Sequence, residues 1–138
     1  MCPPEDRAGF TLIEIVIVIA IIGILSAVIF PNMSIIQNKA KESAIKSVGH
    51  ALQVDLESYY LNKGSYPGGE LTGGNLISIL QADKDLGKTP TNPFTGKAYS
   101  DEDPSGILHY SMNAETGVYT LTILGSGNTN TLLTIQNL

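Results

Sequence analysis

Cysteine is almost missing from this chain of 138 residues. The one thiol, Cys2, precedes a long apolar run, so the part beyond that run has no partner for an internal disulfide and the redox compartment stays open. Basic residues are also scarce. Eight Lys and Arg face thirteen Asp and Glu, a net charge of −5, and nothing resembles the basic stripe that phosphate neutralisation needs, which excludes nucleic acid as a partner. A Gly-rich phosphate loop is lacking as well. The two histidines, His50 and His109, fall on different predicted elements without a cysteine near either, and read as structural residues rather than catalytic or metal-binding ones. A cleavable secretory signal would show a basic start, an apolar core and then a small-residue cut site. Here the small residues come first, as Ala8-Gly9, and no such site closes the apolar stretch before Pro31.

What the chain does have is that stretch. From Phe10 to Phe30 only Thr11, Glu14 and Ser26 interrupt the apolar residues, and a helix of this length, at about 1.5 Å per residue, spans about 30 Å, the thickness of a bilayer core. One carboxylate stands against the anchor reading. Glu14 lies near the start of the run, and a charge at membrane depth costs roughly 2.5–3.5 kcal/mol on insertion scales, so it needs a partner.

The stretch "GFTLIEIVIVIAIIGILSAVIFP" resembles the N-terminus of the type IV pilin family, which includes pilus subunits and the pseudopilins of type II secretion. The resemblance implies a leader over residues 1–9, cleavage after Gly9 by a dedicated membrane peptidase, and methylation of the new N-terminal residue, Phe10. Cleavage would create a cationic amine on Phe10. Glu14 is four residues further along the same helix, where its carboxylate can meet the amine of a neighbouring subunit, so that each charge compensates the other and sets the stagger of the copies. The resemblance further implies a homo-oligomeric filament raised from the inner membrane by assembly machinery. It also implies that the helix between Gly23 and Pro31 can lose its regular hydrogen bonding in the filament. Two features depart from the pattern: the leader sets Glu5 and Asp6 against Arg7 alone, and Lys39, Lys41 and Lys46 after the apolar run oppose the positive-inside rule.

Residues 10–30 are thus read as the membrane or filament-core helix, and 31–62 as its amphipathic continuation. Pro31 lacks an amide proton and should kink or open the helix there. Beyond it Ile45, Val48, Leu52, Leu56 and Tyr59 recur at spacings of three and four while charged residues fall elsewhere, which gives one face made to cover a sheet. Gly64 as a left-handed cap, with Pro67 soon after, predicts a stop near Asn62. Tyr59 and Tyr60 at that end read as packing for a core rather than as an aromatic conduction path.

Residues 63–138 form the expected globular head. From Gly64 to Asp103 the pattern reads as loop broken by one short helical turn, "NLISILQA", with Asn75 as its N-cap. "ILHYSMN", "GVYTLTILG" and "TLLTIQN" read as strands, the first two joined by a hairpin with Gly117 available for positive φ. A short first strand is expected near Lys97–Tyr99. The fold class is therefore α+β: a long N-terminal helix packed on a small three- to four-stranded antiparallel sheet. Asp101, Glu102 and Asp103 cluster in one turn, an oxygen-rich group of the kind that ligates calcium. Otherwise no cofactor is called for.

The function that follows is structural, not enzymatic: a subunit of a type IV pilus-like filament, in the bacterial inner membrane before assembly and in an extracellular pilus after it. The major pseudopilin of a type II secretion system, in a periplasmic pseudopilus, is the alternative within the family. From another class, the alternative is a membrane-anchored periplasmic domain that never polymerises.

Overall fold

A computed structural model describes residues 9–83 and 88–137. The chain divides into two compact units, residues 1–36 and 37–138.

In the first unit, helix α1 (Leu12–Ile29) is apolar on every side and none of its residues is buried. Ile and Val make up most of it. Such residues are ordinary helix formers at best, so what favours this helix is an apolar surrounding in which every backbone group must be satisfied within the segment. It is followed by a 3-10 turn at Phe30–Asn32 that has Pro31 inside it, and then by α2 (Met33–Lys63). Among the described residues, the helical stretch from Leu12 is the one long and apolar enough to cross a membrane.

The second unit is a four-stranded antiparallel sheet with α2 packed on one face. The strands β1 (Gly69–Thr72), β2 (Leu108–Asn113), β3 (Val118–Leu124) and β4 (Thr131–Gln136) pair in the order β1-β2-β3-β4. Period-two alternation puts Leu108, Tyr110, Tyr119, Leu121, Ile123 and Ile135 inward, where they meet Ile45, Leu52 and Leu56 of α2 in one core. Val48 and Tyr59 pack against its rim, so the amphipathic face anticipated for this helix is the buried one. The helix ends where expected: Gly64 takes φ +76° and its N–H returns to Tyr60 O at 2.8 Å. The β2–β3 hairpin turns at Gly117, with φ +71°.

Two expectations for the middle of the chain are corrected. The first strand is not at Lys97–Tyr99 but at Gly69–Thr72, inside the stretch that reads as turn. Around Lys97 there is one bridge, Thr91 to Ala98, because Asn92 N–H to Lys97 O and Gly96 N–H to Asn92 O close a tight loop, and Pro90 and Pro93 have no N–H to donate to a ladder. The helical turn is a ten-residue helix, α3 (Gly73–Ala82), that follows β1 directly; its N-cap is Thr72, not Asn75. The glycines at its start serve close approach rather than a turn. A Cβ on Gly73 would lie 2.8 Å from Leu108 Cβ, and one on Gly74 2.9 Å from Tyr99 O. With that fit, Leu76, Ile77 and Leu80 bury against the sheet.

Candidate processing and assembly site

The site begins where helical structure begins. Gly9 and Phe10 precede the helix; Gly9 is exposed with open space where a Cβ would stand, and Phe10 is 85% exposed. Both are accessible to another protein. Thr11 is the N-cap, and Glu14 answers it as the third residue of α1. Glu14 N–H donates to Thr11 Oγ1 at 3.3 Å, while Thr11 N–H and Thr11 Oγ1 donate to Glu14 Oε2 at 2.7 and 2.8 Å. This is a capping box, and it satisfies backbone donors that a helix start leaves free. The carboxylate is therefore stabilised by its own chain, a contact missed in the sequence reading although Thr-x-x-Glu ahead of an apolar run is the signal for it. Both Thr11 donors use Oε2.

The acidic turn behaves differently from its composition. Asp101 and Glu102 are exposed, whereas Asp103 is buried, with Oδ2 accepting from Asn92 Nδ2 at 2.8 Å and from Ser100 N–H at 3.0 Å. Its backbone oxygen accepts from Asn128 Nδ2 at 2.9 Å. Among the described residues no group of three or more His, Cys, Asp and Glu is placed to hold a metal ion. Of the three carboxylates in this turn, one is thus engaged by internal donors while the other two face solvent. His50 and His109 are both exposed.

Comparison with known proteins joins these features. The family model described as the prokaryotic N-terminal methylation motif matches residues 6–30, which include the expected cut site, Glu14 and all of α1. The type II secretion system core protein G of Escherichia coli is 33% identical over 132 residues, covering 88% of this chain and 83% of that protein. The chain belongs to the type IV pilin and type II secretion pseudopilin family. The type IV major pilin protein PilE1 of Neisseria gonorrhoeae is 31% identical over 124 residues, 90% of this chain and 62% of that one. For the type IV major pilin protein PilA of Myxococcus xanthus the match is 44% over 63 residues, 46% of this chain and 28% of that one. No solved structure matches.

As a pilin-family subunit the chain keeps its helix regular at one of the two expected weak points. Gly23 lies within α1, whereas Pro31 lies in the 3-10 turn that separates α1 from α2. Tyr59 packs on the core. Tyr60, 43% exposed, stacks on Tyr66 at 4.7 Å between centroids, and Tyr66 meets Tyr119 edge-on at 4.7 Å. Glu57 ties this cluster down, accepting from Tyr66 Oη at 2.8 Å and from Tyr119 Oη at 3.4 Å.

Proposed function

We propose that the chain is a repeating structural subunit of a type IV pilus-like filament. Inserted in the inner membrane, it is cut between Gly9 and Phe10 by a prepilin peptidase, methylated on Phe10, and drawn by inner-membrane assembly machinery into a homopolymer. Its work is packing, not catalysis. One observation carries this reading: α1 has no buried residue and is apolar apart from Ser26 and one charged group, Glu14, four residues from the position where cleavage makes a cation. Such a helix needs a lipid or protein surround on every side, and a carboxylate inside that surround is matched by the Phe10 amine of the next copy.

Filament yield from Glu14→Val, measured beside the membrane pool, tests it. Leaving one member of a buried ion pair alone costs roughly 3–5 kcal/mol, so filaments should be lost while membrane level and cleavage hold. A lone anchor would instead tolerate or gain from the change, and filaments at normal yield would refute the pairing. Intact mass separates the classes too, since a non-polymerising anchored domain keeps residues 1–9 and carries no N-methyl group.

A second reading, the major pseudopilin, is favoured by the near full-length match to protein G of Escherichia coli over 132 residues. Deleting the gene in its host distinguishes them: loss of surface filaments supports the pilus, and loss of secreted enzymes with filaments intact supports the pseudopilus.

A further inference from the structure

The face of the sheet turned away from α2 carries a polar hollow. Alternation puts Glu70 and Thr72 of β1, His109 and Ser111 of β2, and Thr120 and Thr122 of β3 on that side. Their pairing sets them in two ranks across the strands: Glu70, Ser111 and Thr120 in one, Thr72, His109 and Thr122 in the other. Four of the six are short hydroxyl side chains beside the longer Glu70 and His109, and together they line an open cavity of about 420 Å³. A volume of this order suits a small ligand. What the hollow lacks narrows that ligand. No Lys or Arg lines it, so it offers no cation to a phosphate or another anion. Leu71 and Tyr110, also at its wall, send their side chains to the core side, so it offers nothing apolar to a lipid chain. One carboxylate and one imidazole are fewer ligands than a dedicated metal site uses. What remains are groups that both donate and accept: each hydroxyl does both, a neutral imidazole offers one of each, and the carboxylate accepts on two oxygens. Thr72 adds an unmet demand. It is the N-cap of α3, yet its Oγ1 makes no cap bond and is buried without a partner.

We propose that this hollow binds a short stretch of a neutral glycan laid across the strands. A sugar hydroxyl is itself donor and acceptor, and two adjacent hydroxyls of one ring can share the Glu70 carboxylate. The ranks run perpendicular to the strands, whose spacing of about 4.8 Å is close to the length of one pyranose unit in an extended chain. Successive units therefore meet successive strands. An extended peptide is a poorer match, because main-chain pairing needs a sheet edge and side-chain anchoring needs apolar pockets, and the hollow is neither. With hydrogen bonds exchanged against water and no aromatic ring to stack on, one site binds weakly. The site needs only one head, so it stands apart from the pilus or pseudopilus assignment. Where heads repeat along a filament, as proposed above, many weak sites act together on one glycan surface.

The test uses the full chain, isotope-labelled, in micelles of a zwitterionic detergent without a sugar headgroup. Cellotriose is titrated in and backbone amide NMR shifts are read. Saturable shifts should be confined to the residues of the two ranks and their immediate neighbours. Thr122→Val keeps the shape and the β-branch while removing one hydroxyl, and should weaken binding about fivefold. Glu70→Gln removes the charged acceptor and should weaken it about tenfold. Ser47→Ala, which removes an exposed hydroxyl from α2 instead, should leave the affinity unchanged. Thermal melting without sugar checks that each variant is folded. Absence of saturable shifts, or equal affinity in folded Thr122→Val and Glu70→Gln, would overturn the proposal and leave an ordinary solvated sheet face. The same shifts from glycerol at matched hydroxyl concentration would overturn it too, since they would show a solvent effect rather than a site.

Discussion

The side-chain amide of Asn92, shut off from solvent, donates to Asp103 Oδ2 across 2.8 Å. The same amide group donates to Ser105 O at 2.9 Å, and its oxygen accepts from Phe94 N–H at 2.9 Å. One residue thus fastens the 92–98 loop to the acidic turn. Asn92→Ala removes all three bonds and leaves the buried Asp103 carboxylate with the Ser100 N–H donor but without the amide, which should cost about 2–3 kcal/mol in chemical denaturation. An unchanged midpoint would show that the loop holds without it.

Tyr99 gives a prediction of the opposite sign. Its hydroxyl is buried without a hydrogen-bond partner, and burial, with the Asp103 carboxylate adding to it, raises its pKa well above the ordinary phenol range. Tyr99→Phe should be neutral or stabilising by up to about 1 kcal/mol, because an unsatisfied buried group is removed. Tyr110→Phe is the control. It deletes a bond to Pro67 O at 2.8 Å and should cost about 1 kcal/mol.

Alkaline pH should unfold the head in a defined window. Burial first, and then the Glu57 carboxylate, push the Tyr66 phenol from 10.0 up to about 12. Tyr110 and Tyr119 shift in the same direction, burial again being the main cause. Above pH 10 the unfolded chain therefore releases these protons while the folded one retains them, so stability is full below pH 10 and falls as pH rises through the folded values. Denaturation midpoints between pH 9 and 12 check the slope, and tyrosinate absorbance should lag in the native protein. A flat profile would contradict the burial seen here.

Gly9→Val should stop processing and leave the chain at full length in the membrane, since a β-branched residue crowds the backbone a peptidase must approach. Among the described residues nothing lies within 4 Å of a Cβ there, so a block would arise at the peptidase rather than from misfolding. Intact mass of the membrane fraction reads the outcome, and mature-length chain would remove Gly9 from the cut site.

For the acidic turn, melting with and without chelator should coincide, because Asp103 already has two internal donors. A calcium-dependent rise that Asp101→Ala abolishes would assign a site to this turn. By linkage it would approach about 2.7 kcal/mol at a hundredfold excess over the dissociation constant.

How much of this was legible follows from where the signal is local. The apolar run, the face Ile45-Leu52-Leu56, the Gly64 stop and the three C-terminal strands each rest on periodicity or turn chemistry within a dozen residues, and each stands in the structure. β1 was hidden because its pairing is non-local: Leu71 lies opposite Tyr110, and a short segment among glycines gives no alternation. Asn92 was hidden for a related reason. Its partners Asp103 and Ser105 come from another loop, so nothing at positions 90–94 announces a buried hub. Gly49, set against Ile123 where a side chain would collide, likewise looked like any helical glycine.

The Thr11–Glu14 ring bears on the subunit before it joins anything. A chain waiting in the bilayer does not hold a bare anion, since Thr11 supplies two hydrogen bonds to Oε2 and acts as a portable fragment of solvent. On the pairing proposed above, Oε1, which takes no hydrogen bond from Thr11, would be the oxygen left for a neighbour's amine, so that storing a subunit and recruiting it would fall to different oxygens of one side chain.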